Sequence, residues 1–214
     1  MTRNGWFCPP NPSPVAAKLV LASSNPGKLA EFRVLARDSA LSIELDLFPE
    51  FDALPAFEES APTFAENSLG KALYYSRHTS EVVVADDSGL VVPSLDGRPG
   101  VHSARYAGPA ATSVQRIEKL LNEMNGKRDN ERAAHFVCAL ALVRQNRALA
   151  IITARADGEI LRAQRGTGGF GYDPIFYFPA LHKTFAELTA TEKNQYSHRG
   201  KAFRRLLAVL PDVL

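Results

Sequence analysis

Two long apolar runs, Arg132 to Val143 and Ala148 to Ala156, are separated by little more than Gln145-Asn146-Arg147. Runs of that length joined so tightly read as neighbouring strands of a β-hairpin. Earlier in the chain the pattern is different. Leu19-Val20-Leu21-Ala22 reads as a strand that hands over to a helix, Leu29 to Arg37, and Leu41 to Phe48 alternates in part as a second strand. Thr63-Phe64-Ala65-Glu66 has capping-box spacing and opens a helix to about Arg77, and Glu81 to Ala85 is a short β-branched run expected to be a buried strand. Strands that alternate with helices build parallel sheet, whereas a hairpin adds antiparallel sheet. The fold class is therefore α/β with a mixed sheet. Thr112 with Gln115 opens a further helix whose apolar stripe is Val114, Ile117, Leu120, Leu121 and Met124, closed by Asn125-Gly126. Thr189-Ala190-Thr191-Glu192 caps a single last helix that carries Leu206, Leu207, Val209 and Leu210.

A chain of 214 residues is long enough for one large α/β core, and no linker divides it. The net charge of +2 comes from acids and bases interspersed along the chain, so there is no basic stripe for a nucleic-acid polymer, while small anions remain as ligands. No run of about 18 apolar residues points to a membrane span. The two cysteines, Cys8 and Cys138, lie far apart and fit a reducing compartment better than a disulfide framework. Residues 1–17 hold four prolines and no apolar signal segment. They are expected to be a flexible N-terminal extension, and residues 18–214 a single domain.

Four segments carry chemistry. Ser23-Ser24-Asn25-Pro26-Gly27-Lys28 lies between the first strand and first helix, where unpaired backbone N–H groups favour an anion; the plain alternative is an Asn-Pro turn with a surface lysine. Asp86-Asp87-Ser88-Gly89 follows the β-branched run as a loop at the carboxyl end of a strand, with two adjacent carboxylates that suit a Mg²⁺ site or a general base, or else an ordinary Asp-Ser-Gly turn. Gly166-Thr167-Gly168-Gly169-Phe170-Gly171-Tyr172-Asp173 brings backbone close to a ligand and sets two aromatic faces beside it, on which a purine could stack. Lys193, His198 and Arg199 fall in the first two turns of the last helix, either as a solvated basic face or as donors to phosphate or a base carbonyl.

Taken in order, "LASSNPGKLAEF", "TFAENSLGKA", "ADDSGLVV…GRPGVHSARYAG", "GTGGFGYDPIF" and "ELTATEKNQYSHRGKA" resemble the inosine triphosphate pyrophosphatase family, most closely its bacterial branch. The resemblance covers residue 18 to about residue 210. It implies a long central mixed sheet, helices in two lobes, a cleft between them, a cytoplasmic homodimer, and Mg²⁺-dependent hydrolysis of ITP, dITP and XTP to the monophosphate and pyrophosphate. It also implies residue roles. Ser23, Ser24, Asn25, Pro26, Gly27 and Lys28 would hold the triphosphate, with Lys71 nearby; Asp87 would be proton acceptor and metal ligand, beside Ser88. Phe170, Gly171, Tyr172 and Asp173 would bind the nucleotide, Lys193 would contact it, and His198 with Arg199 would recognise the base. Glu58 or Glu59 would supply the second metal ligand. Ser23-Ser24 stands where Thr-Gly is common in the family. Two other readings stay open at this point: a pyrophosphatase for other modified nucleotides, and a non-catalytic nucleotide sensor.

Overall fold

A computed structural model describes residues 17–37, 39, 41–49 and 51–214. Seven strands form one sheet in the order β2-β1-β3-β4-β5-β6-β7. They are β1 (Ala17–Leu21), β2 (Ile43–Leu47), β3 (Val82–Val91), β4 (Ala133–Arg144), β5 (Arg147–Ile160), β6 (Phe176–Phe178) and β7 (Lys183–Thr184). β1 runs parallel to β2 and β3, and all later pairings are antiparallel. The mixed sheet has the physical cause expected of it. Helices α1 (Pro26–Arg37) and α2 (Phe64–Ser76) make the crossovers that parallel strands require. The β4–β5 hairpin turns through Gln145 and Asn146, whose φ angles of 49° and 62° match the twist of the flanking strands.

Three packed clusters sit along this sheet. On one face, α1 and α5 (His198–Val213) cover Val82, Val84, Cys138 and Leu140. On the opposite face, α2 covers Val83, Ala85, Ala141 and Val143. Farther along the same strands, Leu90, Phe136 and Ala156 pack with Ile117 and Leu120 of α3 (Ser113–Glu123) and with Ile175 and Phe176. β3, β4 and β5 thus pass from one packed half of the molecule into the other. Between the halves β3 carries Asp86, Asp87, Ser88 and Gly89.

That placement corrects the expected loop. Asp86 through Gly89 are strand residues, paired in register with Leu140 through Val137 of β4. Asp, Ser and Gly are poor strand formers, but a full ladder to a central neighbour outweighs local preference. The single last helix is likewise two, α4 (Ala190–Tyr196) and α5. Ser197 breaks the run with an extended ψ of 158°, and its Oγ accepts from the Gly200 N–H at 3.1 Å as the N-cap of α5. A Cβ on Gly200 would strike the Asn194 carbonyl, so this corner requires glycine. Val114, placed in the apolar stripe, is 52% exposed, while Ile117 and Leu120 are buried. Thr63, Thr112 and Thr189 cap their helices as expected. Ala17 already belongs to β1. Residues 1–16, including Cys8, lie outside the described residues, and among the described residues no helix is long and apolar enough to cross a membrane.

Candidate active site

The turn between β1 and α1 is organised by its own side chains. Ser23 Oγ accepts from the Asn25 N–H at 3.1 Å, and Asn25 Oδ1 accepts from the N–H groups of Gly27 (2.9 Å) and Lys28 (3.2 Å). The N–H groups of Asn25, Gly27 and Lys28 are thus already bonded within the turn, and Pro26 has none to give. Ser24 and Pro26 are exposed. From this segment Asn25 and Lys28 line the cleft.

Lys28 points at the first aspartate of β3. Successive side chains of a strand face opposite ways, so Asp86 and Asp87 do not share one site. Asp86 lies on the α1/α5 face. Its Oδ2 receives Lys28 Nζ at 2.9 Å and Arg199 Nε at 3.3 Å, and its Oδ1 receives the Cys138 thiol at 3.5 Å. Burial pushes its pKa up, but the charges of Lys28 and then Arg199 outweigh burial and hold the carboxyl well below the ordinary range. Arg199 also reaches Glu31 Oε2 at 2.6 Å and Ser88 Oγ at 2.9 Å. Glu31 Oε1 and Asp173 Oδ2 both meet Lys193 Nζ at 2.8 Å. Lys28, Asp86, Arg199, Glu31, Lys193 and Asp173 therefore form a chain of alternating charge from the first turn to the glycine-rich loop.

Asp87 faces α2 and has no comparable partner. Its Oδ2 is buried and makes no hydrogen bond among the described residues. Burial first, then the negative charges of Glu59 and Asp86, push its pKa up to about 6. Lys71 on α2 pairs with the Glu59 carboxylate and donates to the Asp86 main-chain oxygen at 3.2 Å. Glu58 is exposed, whereas Glu59 is part-buried against Lys71, so of the two acids left open by the sequence it is Glu59 that stands beside Asp87. Among the described residues no group of three or more His, Cys, Asp or Glu could hold a metal by itself. The orphaned oxygen of Asp87 and the carboxylate of Glu59 are hard donors of the kind Mg²⁺ takes one or two at a time, with water and phosphate completing its shell. The residues present fit such an ion.

The glycine-rich loop folds around Asp173. Asp173 Oδ2 accepts from the Phe170 N–H at 2.8 Å and lies so close to Gly169 (φ 70°) that a Cβ there would collide with it. The Phe170 ring rests against Gly27, with Lys193 Nζ 4.7 Å and the Arg199 guanidinium 5.3 Å from its centroid. Lys193 is buried inside this network; burial lowers its pKa, but Asp173 and Glu31 outweigh burial and raise it. Tyr172 is buried too, and its hydroxyl donates to the Ser103 carbonyl at 3.0 Å. His198 stacks on Phe136 at 4.6 Å and 10°. Its Nδ1 has no partner among the described residues, and burial, then Arg199, pull its pKa well below the ordinary value, so the ring is neutral.

Asn25, Lys28, Ser88, Phe170, His198 and Arg199 line a single cleft of about 200 Å³, with Gly171, Tyr172 and Asp173 beside them. Lys71, Glu59 and Asp87 gather across β3 on the α2 side. Glu31, Phe136 and Ser103 join the site, and Arg105 lies outside the cleft lining against the Glu59 backbone, without having been singled out in the sequence. Glu31 could have been: it lies three residues after Lys28, on the same helical face. Phe136 could not, because inside an apolar strand it reads as core.

The model of the Ham1 family matches residues 19–209. A dITP/XTP pyrophosphatase of Geobacillus kaustophilus (strain HTA426) is 48% identical over 189 residues, 88% of this chain and 92% of the relative. A dITP/XTP pyrophosphatase of Coxiella burnetii (strain RSA 493 / Nine Mile phase I) is 42% identical over 198 residues, 91% and 97% of the two chains. The solved structure of a HAM1 protein from Coxiella burnetii is similar with a TM-score of 0.81 at 43% identity, covering 92% of this chain and 99% of that one. That of the Staphylococcus aureus Ham1 protein is similar with a TM-score of 0.80 at 38% identity, covering 91% and 98%. The likeness spans both halves of the sheet and every element that lines the cleft, in accord with the resemblance of its motifs: this chain belongs to the Ham1 family.

Proposed function

We propose that the protein hydrolyses non-canonical purine nucleoside triphosphates, ITP, dITP and XTP, to the monophosphate and pyrophosphate, and so keeps deaminated purines out of DNA and RNA. The relatives named dITP/XTP pyrophosphatases support this reading. The observation that carries it is Asp87: a buried carboxylate with an unpartnered oxygen and a pKa of about 6, beside Lys71 and Glu59. Such a group is ionised at neutral pH yet more basic than an ordinary carboxylate, which suits it to take a proton from water. Lys28 and Lys71 offer cations to the phosphates, and Asp87 with Glu59 would hold Mg²⁺. When bound, that ion neutralises charge on the leaving pyrophosphate.

His198 presents a neutral ring nitrogen, and Arg199 a guanidinium fixed by Asp86 and Glu31, to the 6-oxo edge of the base. Adenine, with an amino group at that edge, would leave these buried groups mismatched, at about 1–3 kcal/mol per unpaired group, whereas guanine shares the 6-oxo group and would be disfavoured through its 2-amino group instead. The protein would work in the cytoplasm, where its substrates arise, and as a homodimer. The test is pyrophosphate release across ITP, dITP, XTP, ATP, GTP and modified pyrimidine triphosphates, with and without Mg²⁺. Release confined to ITP, dITP and XTP, and abolished by chelation, is the expected result; preference for ATP or for a modified pyrimidine would overturn the reading.

A further inference from the structure

We infer that Arg105 is the positioning residue for Glu59, holding that carboxylate in register with Asp87; the inference rests on the metal role proposed above for this pair. Glu59 lies on an irregular stretch, residues 54–63, between a one-turn helix at Phe51–Ala53 and α2. A ligand on such a segment is only as precise as the contacts that fix its backbone. Asn67 holds Ala61 through two bonds, accepting from its N–H at 2.9 Å and donating to its carbonyl at 3.2 Å. Arg105 holds Glu59 itself: Nη2 donates to the main-chain oxygen at 2.7 Å, while Nη1 stands 3.9 Å from the carboxylate. The short bond goes to the neutral carbonyl, so the arginine acts mainly on the backbone and only weakly on the charge.

Arg105 can do this because its own segment, the 3-10 helix Gly100–Arg105, is anchored on three sides. Ser103 Oγ accepts from the Leu90 N–H of β3 at 2.9 Å and donates to the Gly100 carbonyl at 2.6 Å. Arg116 of α3 donates to the Ala104 carbonyl at 2.6 Å, and Tyr172 donates to the Ser103 carbonyl at 3.0 Å. Gly89 passes so close beneath that a Cβ on it would strike Ser103 Oγ. The loop that carries Glu59 and the loop that carries Phe170 and Tyr172 therefore hang from one rigid support.

The experiment uses the full chain and Mn²⁺ alone as the probe, titrated calorimetrically without nucleotide. Arg105→Gln is expected to weaken Mn²⁺ binding by about 10-fold or more, as loss of the partner that orients a ligand does. Arg105→Lys, which keeps a donor, should restore part of the loss. Amide exchange at residues 58–60 of the metal-free protein should quicken in Arg105→Gln, and the Mg²⁺ needed for half-maximal rate should rise, while kcat at saturating Mg²⁺ and KM for dITP stay within a few-fold. Equal or tighter Mn²⁺ binding by Arg105→Gln overturns the inference, since it would make the arginine a competing charge. Should Arg105→Gln not fold, Arg105→Lys is held to the same criteria, with unchanged exchange at residues 58–60 counting against the inference. Glu59→Gln separates the two levels. If it leaves Mn²⁺ binding unchanged, the metal reading fails; if it weakens binding and Arg105→Gln does not, only the role of Arg105 fails.

Discussion

The two faces of β3 make opposite uses of the same side chain. Asp86 and Asp87 are adjacent and both buried, yet Asp86 is held ionised by Lys28 and Arg199, whereas Asp87 keeps an unpartnered oxygen and a pKa of about 6. Burial pushes both carboxyls upward; what separates them is which helices supply partners. A strand places neighbours on opposite faces, so one residue of sequence divides a carboxylate fixed by ion pairs from one with an unpartnered oxygen.

The comparison breaks most sharply at the structural charge. Asp86→Ala should cost about 3–5 kcal/mol, because it leaves Lys28 without its carboxylate and Arg199, still buried, with Glu31 as its one remaining counter-charge among the described residues. Urea unfolding measures this, and a loss under about 1 kcal/mol would deny Asp86 its role as the hub. Asp87→Asn should leave the fold intact and lower turnover of dITP about 10²-fold or more; activity within a few-fold of the parent would remove Asp87 from the chemistry.

The same variant sharpens the contrast through pH. A carboxyl whose folded pKa is raised binds its proton more tightly when folded, so the parent loses stability as pH rises from about 4 to about 6, and the loss stays constant above. Without metal, Asp87→Asn should therefore be more stable than the parent by about 1–3 kcal/mol at pH 8, with the difference vanishing near pH 4. Thermal melts at the two pH values read it directly, and a variant less stable at pH 8 would contradict the raised pKa. Lys28→Ala should weaken triphosphate binding by roughly 3–10-fold at low salt and less at high salt, and hardly alter binding of inosine. Equal losses for nucleoside and triphosphate would place Lys28 with the structural network alone.

The parts of the fold legible in the sequence were those with local signals. The hairpin at Gln145-Asn146, the caps at Thr63, Thr112 and Thr189, and the early alternation of strand and helix each have a cause within a few residues. The strand at Asp86–Gly89 had none, because its cause is the ladder to β4, about fifty residues away. The break at Ser197 was not read either, because the box at Thr189 with the apolar residues beyond it reads as one continuous helix. The site behaved alike. The motifs pointed to Lys28, Asp87, Phe170 and Arg199, and helical spacing from Lys28 was a signal for Glu31, while the contacts of Arg105 are visible only once the chain has folded. Asn25 shows the converse limit: its type suits an anion loop and a helix cap equally, and only geometry reveals that the cap takes its oxygen.

The length of the central strands has a mechanical consequence. β3, β4 and β5, of 10, 12 and 14 residues, run unbroken beneath both packed halves, so the longest spans about 45 Å. Covalent backbone tied side by side by a hydrogen-bond ladder resists stretching and sliding but yields to bending and twist. The two halves that flank the cleft are thus joined by continuous backbone, so any change in the width of the cleft must bend or twist the sheet rather than slide one half past the other.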